Sequence, residues 1–154
     1  MAKPAEIEER KTDLAPLFLP KSVAHVGASQ KSAPGRFNFS RFLQLMKYEG
    51  KIYPVNPKYT EILGVPCYPG IESIPENFDM AVYFIPAKFL PETITACSRK
   101  GVKGIIIQSA GFSEVGPEGK KLQEDSVALA RKLGIRLWGP NCMGFLDGHS
   151  RNVF

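Results

Sequence analysis

Asp79-Met80-Ala81-Val82-Tyr83-Phe84-Ile85 is an almost unbroken apolar run of strand length, stopped by Pro86. A strand that is apolar on both faces has to be covered on both faces, as strands of parallel sheets flanked by helices are. The rest of the chain repeats the arrangement. Residues 22–26, 51–55, 103–108 and 135–138 are further short apolar runs, with Pro54 suggesting that the second lies near an end or in an irregular ladder. Between them fall segments of helical character. Residues 39–48 carry Phe39, Phe42, Leu43 and Met46 on one face and are ended by Gly50; residues 89–100 are closed by Gly101; Pro117 opens a helix that runs to Leu133 and is capped by Gly134. Residues 64–68 read as a loop, and 71–75 as a short helix at most. Five strands with helix-length connections imply right-handed crossovers and an α/β, Rossmann-like open parallel sheet of about five strands with helices on both faces.

A chain of 154 residues is the size of one domain. Residues 1–20 are charged and punctuated by Pro4, Pro16 and Pro20, and read as a lead-in that packs only near Leu17-Phe18-Leu19; the compact fold occupies 21–154. No apolar run is long enough to cross a bilayer, and the start does not resemble a signal peptide, so a cytoplasmic protein is expected. Three cysteines without CxxC spacing argue against both a disulfide framework and a zinc site. The net charge of +5 comes from scattered residues with no interleaved aromatics. That pattern disfavours a nucleic-acid groove and favours a few cations gathered round a small phosphorylated ligand.

Ligands of open α/β sheets lie beyond the carboxyl ends of the strands. After the first strand come Gly27, Ala28, Ser29 and Gln30, a small polar turn opening a helix, where backbone N–H groups and the helix dipole favour an anion and Ser29, Lys31 and Arg36 can add donors. It lacks GxGxxG. The second strand ends in Asn56-Pro57-Lys58. A dinucleotide fold normally offers an acid there to the ribose hydroxyls, so Lys58 disfavours NAD and suits a ribose phosphate, as in coenzyme A (CoA) or NADP. Pro86, Ala87 and Lys88 make a rigid turn that could lie against an adenine. Gln108, Ser109 and Ala110 form a small-residue loop through which a thin chain could pass. Gly139-Pro140-Asn141-Cys142 follows the last strand.

Four of these segments, Val26-Gly27-Ala28-Ser29, residues 52–58 ending in Asn56-Pro57-Lys58, residues 109–114 beginning Ser109-Ala110-Gly111-Phe112, and Gly139-Pro140-Asn141-Cys142-Met143-Gly144, together resemble the CoA-binding domain of NDP-forming acyl-CoA synthetases. That family includes ADP-forming acetyl-CoA synthetase and, more distantly, the succinyl-CoA synthetase alpha subunit. The resemblance spans about residues 20 to 150. It implies that Gly27 to Gln30 hold CoA phosphate, Lys58 the adenosine phosphate end, Pro86 to Lys88 the adenine side, and Gln108 to Ala110 the pantetheine arm, with Asn141 in the last loop of the site. It further implies an enzyme that makes acyl-CoA from a carboxylic acid, CoA and ATP through an acyl phosphate and a phosphohistidine. The phosphohistidine domain would begin near Phe154, and an ATP-grasp unit would complete the enzyme. This segment is therefore expected to bind CoA or acyl-CoA without turnover. A free-standing CoA-binding regulatory protein and an NADP-binding module are the alternatives.

No catalytic residue is expected. His25 reads as a sheet residue, His149 as part of an exposed tail, and Cys67, Cys97 and Cys142 as structural. Glu114 reads equally as a solvated loop carboxylate or a ligand contact.

Overall fold

The structure is a computed structural model that describes residues 15–30, 38–147 and 152–153; Lys31, Arg36 and His149 lie outside the described residues. One helical turn, α1 (Ala15–Phe18), leads into β1 (Ser22–Val26), α2 (Phe39–Leu45) and β2 (Lys51–Val55). A two-stranded ribbon, β3 (Glu61–Ile62) and β4 (Val65–Pro66), precedes β5 (Met80–Tyr83), α3 (Leu90–Arg99), β6 (Gly104–Ile107), α4 (Pro117–Lys132) and β7 (Arg136–Trp138). A second ribbon pairs β8 (Leu146–Asp147) with β9 (Asn152–Val153).

The main sheet has the order β2-β1-β5-β6-β7, all parallel. The second of the long strands thus sits outside the first, as a doubly wound sheet requires. Every residue of β1, β5 and β6 is buried, which explains why those strands read as unbroken apolar runs. Their side chains divide between two cores. Ala24, Val26, Ala81, Tyr83, Ile105 and Ile107 point into one with Leu90, Ile94 and Cys97 of α3 and Ala130 of α4; Val23, Met80, Val82 and Ile106 share the other with Phe39 and Leu43 of α2. Helices therefore cover both faces.

Pro54 falls on the sheet edge, where its missing N–H costs no ladder bond, and its carbonyl accepts from the Tyr68 N–H at 2.9 Å. The helix from Phe39 ends earlier than its periodicity suggests. Lys47 takes the left-handed cap position at φ 55, with Lys47 N–H donating to Gln44 and Tyr48 N–H to Leu43, so Gly50 is not the terminator. Met46 consequently leaves the core face and is 45% exposed. Residues 64–68 are not a plain loop either: Leu63 (φ 54) and Gly64 (φ 77) form the tight turn of the β3-β4 ribbon. The lead-in does pack through Leu17 and Phe18. Leu17 lies over Gly104, and the Phe18 ring meets Trp138 and Phe145 edge-on at 5.9 and 5.2 Å. Among the described residues no helix is long and apolar enough to cross a membrane.

Candidate functional site

The strand order reverses between β1 and β5, and the turns that leave those two strands meet there. Gly27 follows β1 at φ 94, and a Cβ on it would stand 2.7 Å from Ile85 Cγ2 and 3.2 Å from the Phe84 carbonyl carbon. Only glycine fits. Its N–H and that of Ala28 both donate to the Val55 carbonyl, at 2.9 and 3.3 Å, which fastens the first turn to the end of β2. Ala28 lies wholly buried beneath the surface. Asn56 completes the fastening, since its side-chain amide donates to the Ala28 carbonyl at 2.7 Å and its Oδ1 accepts from the Lys58 N–H at 2.9 Å. That second bond is an Asx turn, the reason Asn suits the position before Pro57-Lys58.

Above these turns opens a groove of about 1280 Å³. Gly27 and Val55 lie at its base, Asn56 to Lys58 and the 3-10 turn Ile71–Ser73 along one side, and Pro86, Phe89 and one stripe of α3 along the other. The stripe consists of Thr93, Ala96 and Arg99, continuing the helical spacing of Phe89. Tyr83 holds the Pro86 turn by donating its phenol to the Pro86 carbonyl at 2.6 Å, and burial raises the pKa of that phenol above its ordinary value. Phe89 is 40% exposed, with the Lys88 ammonium 5.0 Å from its ring centre. The Lys58 ammonium forms no ion pair with any described carboxylate. Arg99, by contrast, is paired with Glu72 of the 3-10 turn.

A second group of loops lies beyond Pro86. Ala87 is buried against Gly111, whose added Cβ would come within 3.2 Å of it. Gln108 N–H and the Ser109 hydroxyl both donate to the Tyr83 carbonyl, at 3.1 and 3.5 Å, and Asn141 N–H donates to the Ser109 carbonyl at 3.1 Å. The Gln108 side-chain Nε2 is buried with no hydrogen-bond partner among the described residues. Glu114 accepts from the Gly111 N–H at 2.5 Å, and such backbone donors, Gly111's foremost, hold its carboxyl below the usual range.

The described residues expected from the sequence therefore stand at the carboxyl edge, but in different settings. Gly27, Lys58 and Pro86 line the groove. Ser29 turns its hydroxyl toward Tyr59 at 3.4 Å and Gln30 donates its amide to the Glu61 carbonyl at 2.7 Å, so both also serve to hold the β3 segment. Ala87, Gln108, Ser109 and Asn141 form the second group, with Ala110 and Lys88 exposed at its surface. Phe89, Thr93, Arg99, Glu72 and Ser73 were not foreseen. The spacing 89-93-96-99 was a usable signal, because it aligns Phe89, Thr93, Ala96 and Arg99 on one stripe of the helix.

His25 is 4% exposed, its Nδ1 is 2.7 Å from the Ser40 hydroxyl, and burial depresses its pKa to about 3. Burial also pushes the Cys97 thiol up to about 12. Cys142 packs against the α2-side core, with its Sγ donating toward the carbonyls of Ile107 and Trp138 at 3.5 and 3.8 Å. No described cluster of three His, Cys, Asp or Glu side chains is placed to hold a metal ion.

The family model of a CoA binding domain matches residues 21–147. The chain is 46% identical over 131 residues to the ADP-forming acetate–CoA ligase I of Archaeoglobus fulgidus, covering 85% of this chain and 19% of that protein. It is 47% identical over 137 residues to the alpha subunit of the ADP-forming acetate–CoA ligase I of Pyrococcus furiosus, covering 85% of this chain and 29% of that subunit. Among solved structures it resembles the dinucleotide-forming acetyl-coenzyme A synthetase 1 of Ca. Korarchaeum cryptofilum in its apo form, with a TM-score of 0.81 at 36% identity over 90% of this chain and 30% of that one. The chain thus spans roughly a fifth to a third of the length of these relatives.

Proposed function

The chain belongs to the CoA-binding domain family, and from that premise we propose that it binds coenzyme A, or an acyl-CoA, across the carboxyl edge of its sheet. The observation that carries the reading is Lys58: an ammonium on the wall of the groove that pairs with no described carboxylate, at the strand end where a dinucleotide fold would offer an acid. In this reading Lys58 meets the ribose phosphate. The adenine lies against Pro86 and Phe89. Gly27 allows the diphosphate to approach the backbone closely, although its own N–H is committed to Val55. The pantetheine arm then runs over Gln108 to Ala110 toward Asn141. A buried amide without a partner costs about 1–3 kcal/mol, and a turn of the Gln108 side chain toward the arm would give its Nε2 an amide carbonyl.

In a complete synthetase this domain would present the CoA thiol to an acyl phosphate, while a phosphohistidine domain and an ATP-grasp unit handled the phosphoryl group. By itself it binds without turnover. Calorimetric titration with CoA, dephospho-CoA, NADP and NAD tests the ligand. CoA should bind most tightly. A preference for NADP would sink the proposal, and indifference to the ribose phosphate would remove the role given to Lys58.

A further inference from the structure

Among the described residues the groove carries one cation on each side, and they are held differently. Lys58 pairs with no described carboxylate, whereas Arg99, in the last turn of α3, reaches across to Glu72 in the 3-10 turn Ile71–Ser73. Glu92, also at the groove, forms no ion pair among the described residues, so without Arg99 the groove would present two carboxylates, Glu72 and Glu92, to an incoming anion. Arg99 and Glu72 side chains are 65% and 59% exposed, and an exposed pair of this kind holds weakly enough to be exchanged. A guanidinium matches a phosphate with two parallel hydrogen bonds as well as it matches a carboxylate.

Building on the reading of this groove as a nucleotide site, we infer that Arg99 is a second phosphate-binding residue, which Glu72 holds in place when the groove is empty and releases to the ligand when it is filled. Glu72 is then a competitor for Arg99. It lowers affinity only for ligands whose phosphates reach Arg99, and Lys58 and Arg99 together favour a ligand with two separate phosphate groups. The ligand class so selected is an adenine nucleotide that carries phosphate on the ribose as well as at its 5′ end.

The two partners must therefore act with opposite sign. Titrations of CoA and dephospho-CoA into the wild-type chain, Arg99→Ala, Glu72→Gln and the double variant read this directly. Arg99→Ala should weaken CoA about tenfold, the loss of one charge-assisted contact. Glu72→Gln should tighten it about two- to fivefold, the worth of a released surface pair. In the double variant that gain should vanish. A loss confined to CoA assigns Arg99 to the ribose phosphate, and an equal loss for both ligands assigns it to the diphosphate. Both side chains are more than half exposed, so unchanged thermal unfolding is expected and checks that the variants fold. If both substitutions weaken binding, or neither changes it, the pair is only structural and the inference is overturned while the wild-type affinity for CoA stands. If the wild-type chain binds neither ligand, the groove reading itself fails, and the inference with it.

Discussion

Asn56 joins the two turns on which the site rests: its side-chain amide donates to the Ala28 carbonyl at 2.7 Å, and its Oδ1 accepts from the Lys58 backbone at 2.9 Å. One side chain thus fixes the position of Lys58 relative to the turn after β1. Asn56→Ala should cost about 1–2 kcal/mol of stability, the net worth of two such bonds, and should also weaken CoA binding by about tenfold. Urea unfolding and calorimetry measure the two. Asn56→Asp keeps the acceptor for the Lys58 backbone but sets a carboxylate against the Ala28 carbonyl and beside an anionic ligand, and should lose at least as much affinity as Asn56→Ala.

Gly27→Ala meets two obstacles, a φ of 94 and a Cβ 2.7 Å from Ile85 Cγ2. The conformation and the overlap together should destabilise the fold by about 2–4 kcal/mol. Because Ile85 also lines the groove, any relief of the overlap displaces a wall, so affinity should fall even where the protein remains folded. A variant of wild-type stability would show that the turn is looser than described.

The architecture was legible where local pattern and tertiary demand coincide. The unbroken run at residues 79–85 announces a strand buried on both faces, and Gly101 and Gly134 close their helices at φ 71 and 70, as helix-ending glycines do. The end of α2 was not legible. Lys47 occupies the left-handed position that glycine usually fills, and Gly50, the obvious candidate, sits past the turn. The site divides in the same way. Strand-end turns advertise themselves through Gly27, Pro57, Pro86 and Pro140, because chain reversal demands such residues. The far wall does not, since Glu72 and Arg99 come together only through packing of the 3-10 turn Ile71–Ser73 on α3, 27 residues apart in sequence.

His25 supplies a pH dependence whose sign is fixed. Its folded pKa, about 3, lies below the ordinary 6.5, because burial disfavours the imidazolium. The fold therefore has its full stability above about pH 6.5, and loses it as pH falls toward 3, with a slope approaching about 1.4 kcal/mol per pH unit. Between pH 7 and pH 5, urea unfolding should show a loss of about 2 kcal/mol, and His25→Gln should remove most of that loss. A wild-type stability flat over this interval would mean that His25 takes up its proton in the folded state.

Lys58 offers the most direct measurement of all, the ratio of CoA to dephospho-CoA affinity before and after its ammonium is removed. The wild-type chain should prefer CoA about tenfold or more, the worth of one charge-assisted contact to the ribose phosphate. In Lys58→Ala that preference should fall severalfold, with dephospho-CoA binding nearly unchanged. A preference for CoA that survives the substitution undiminished would contradict the placement of the ribose phosphate at Lys58.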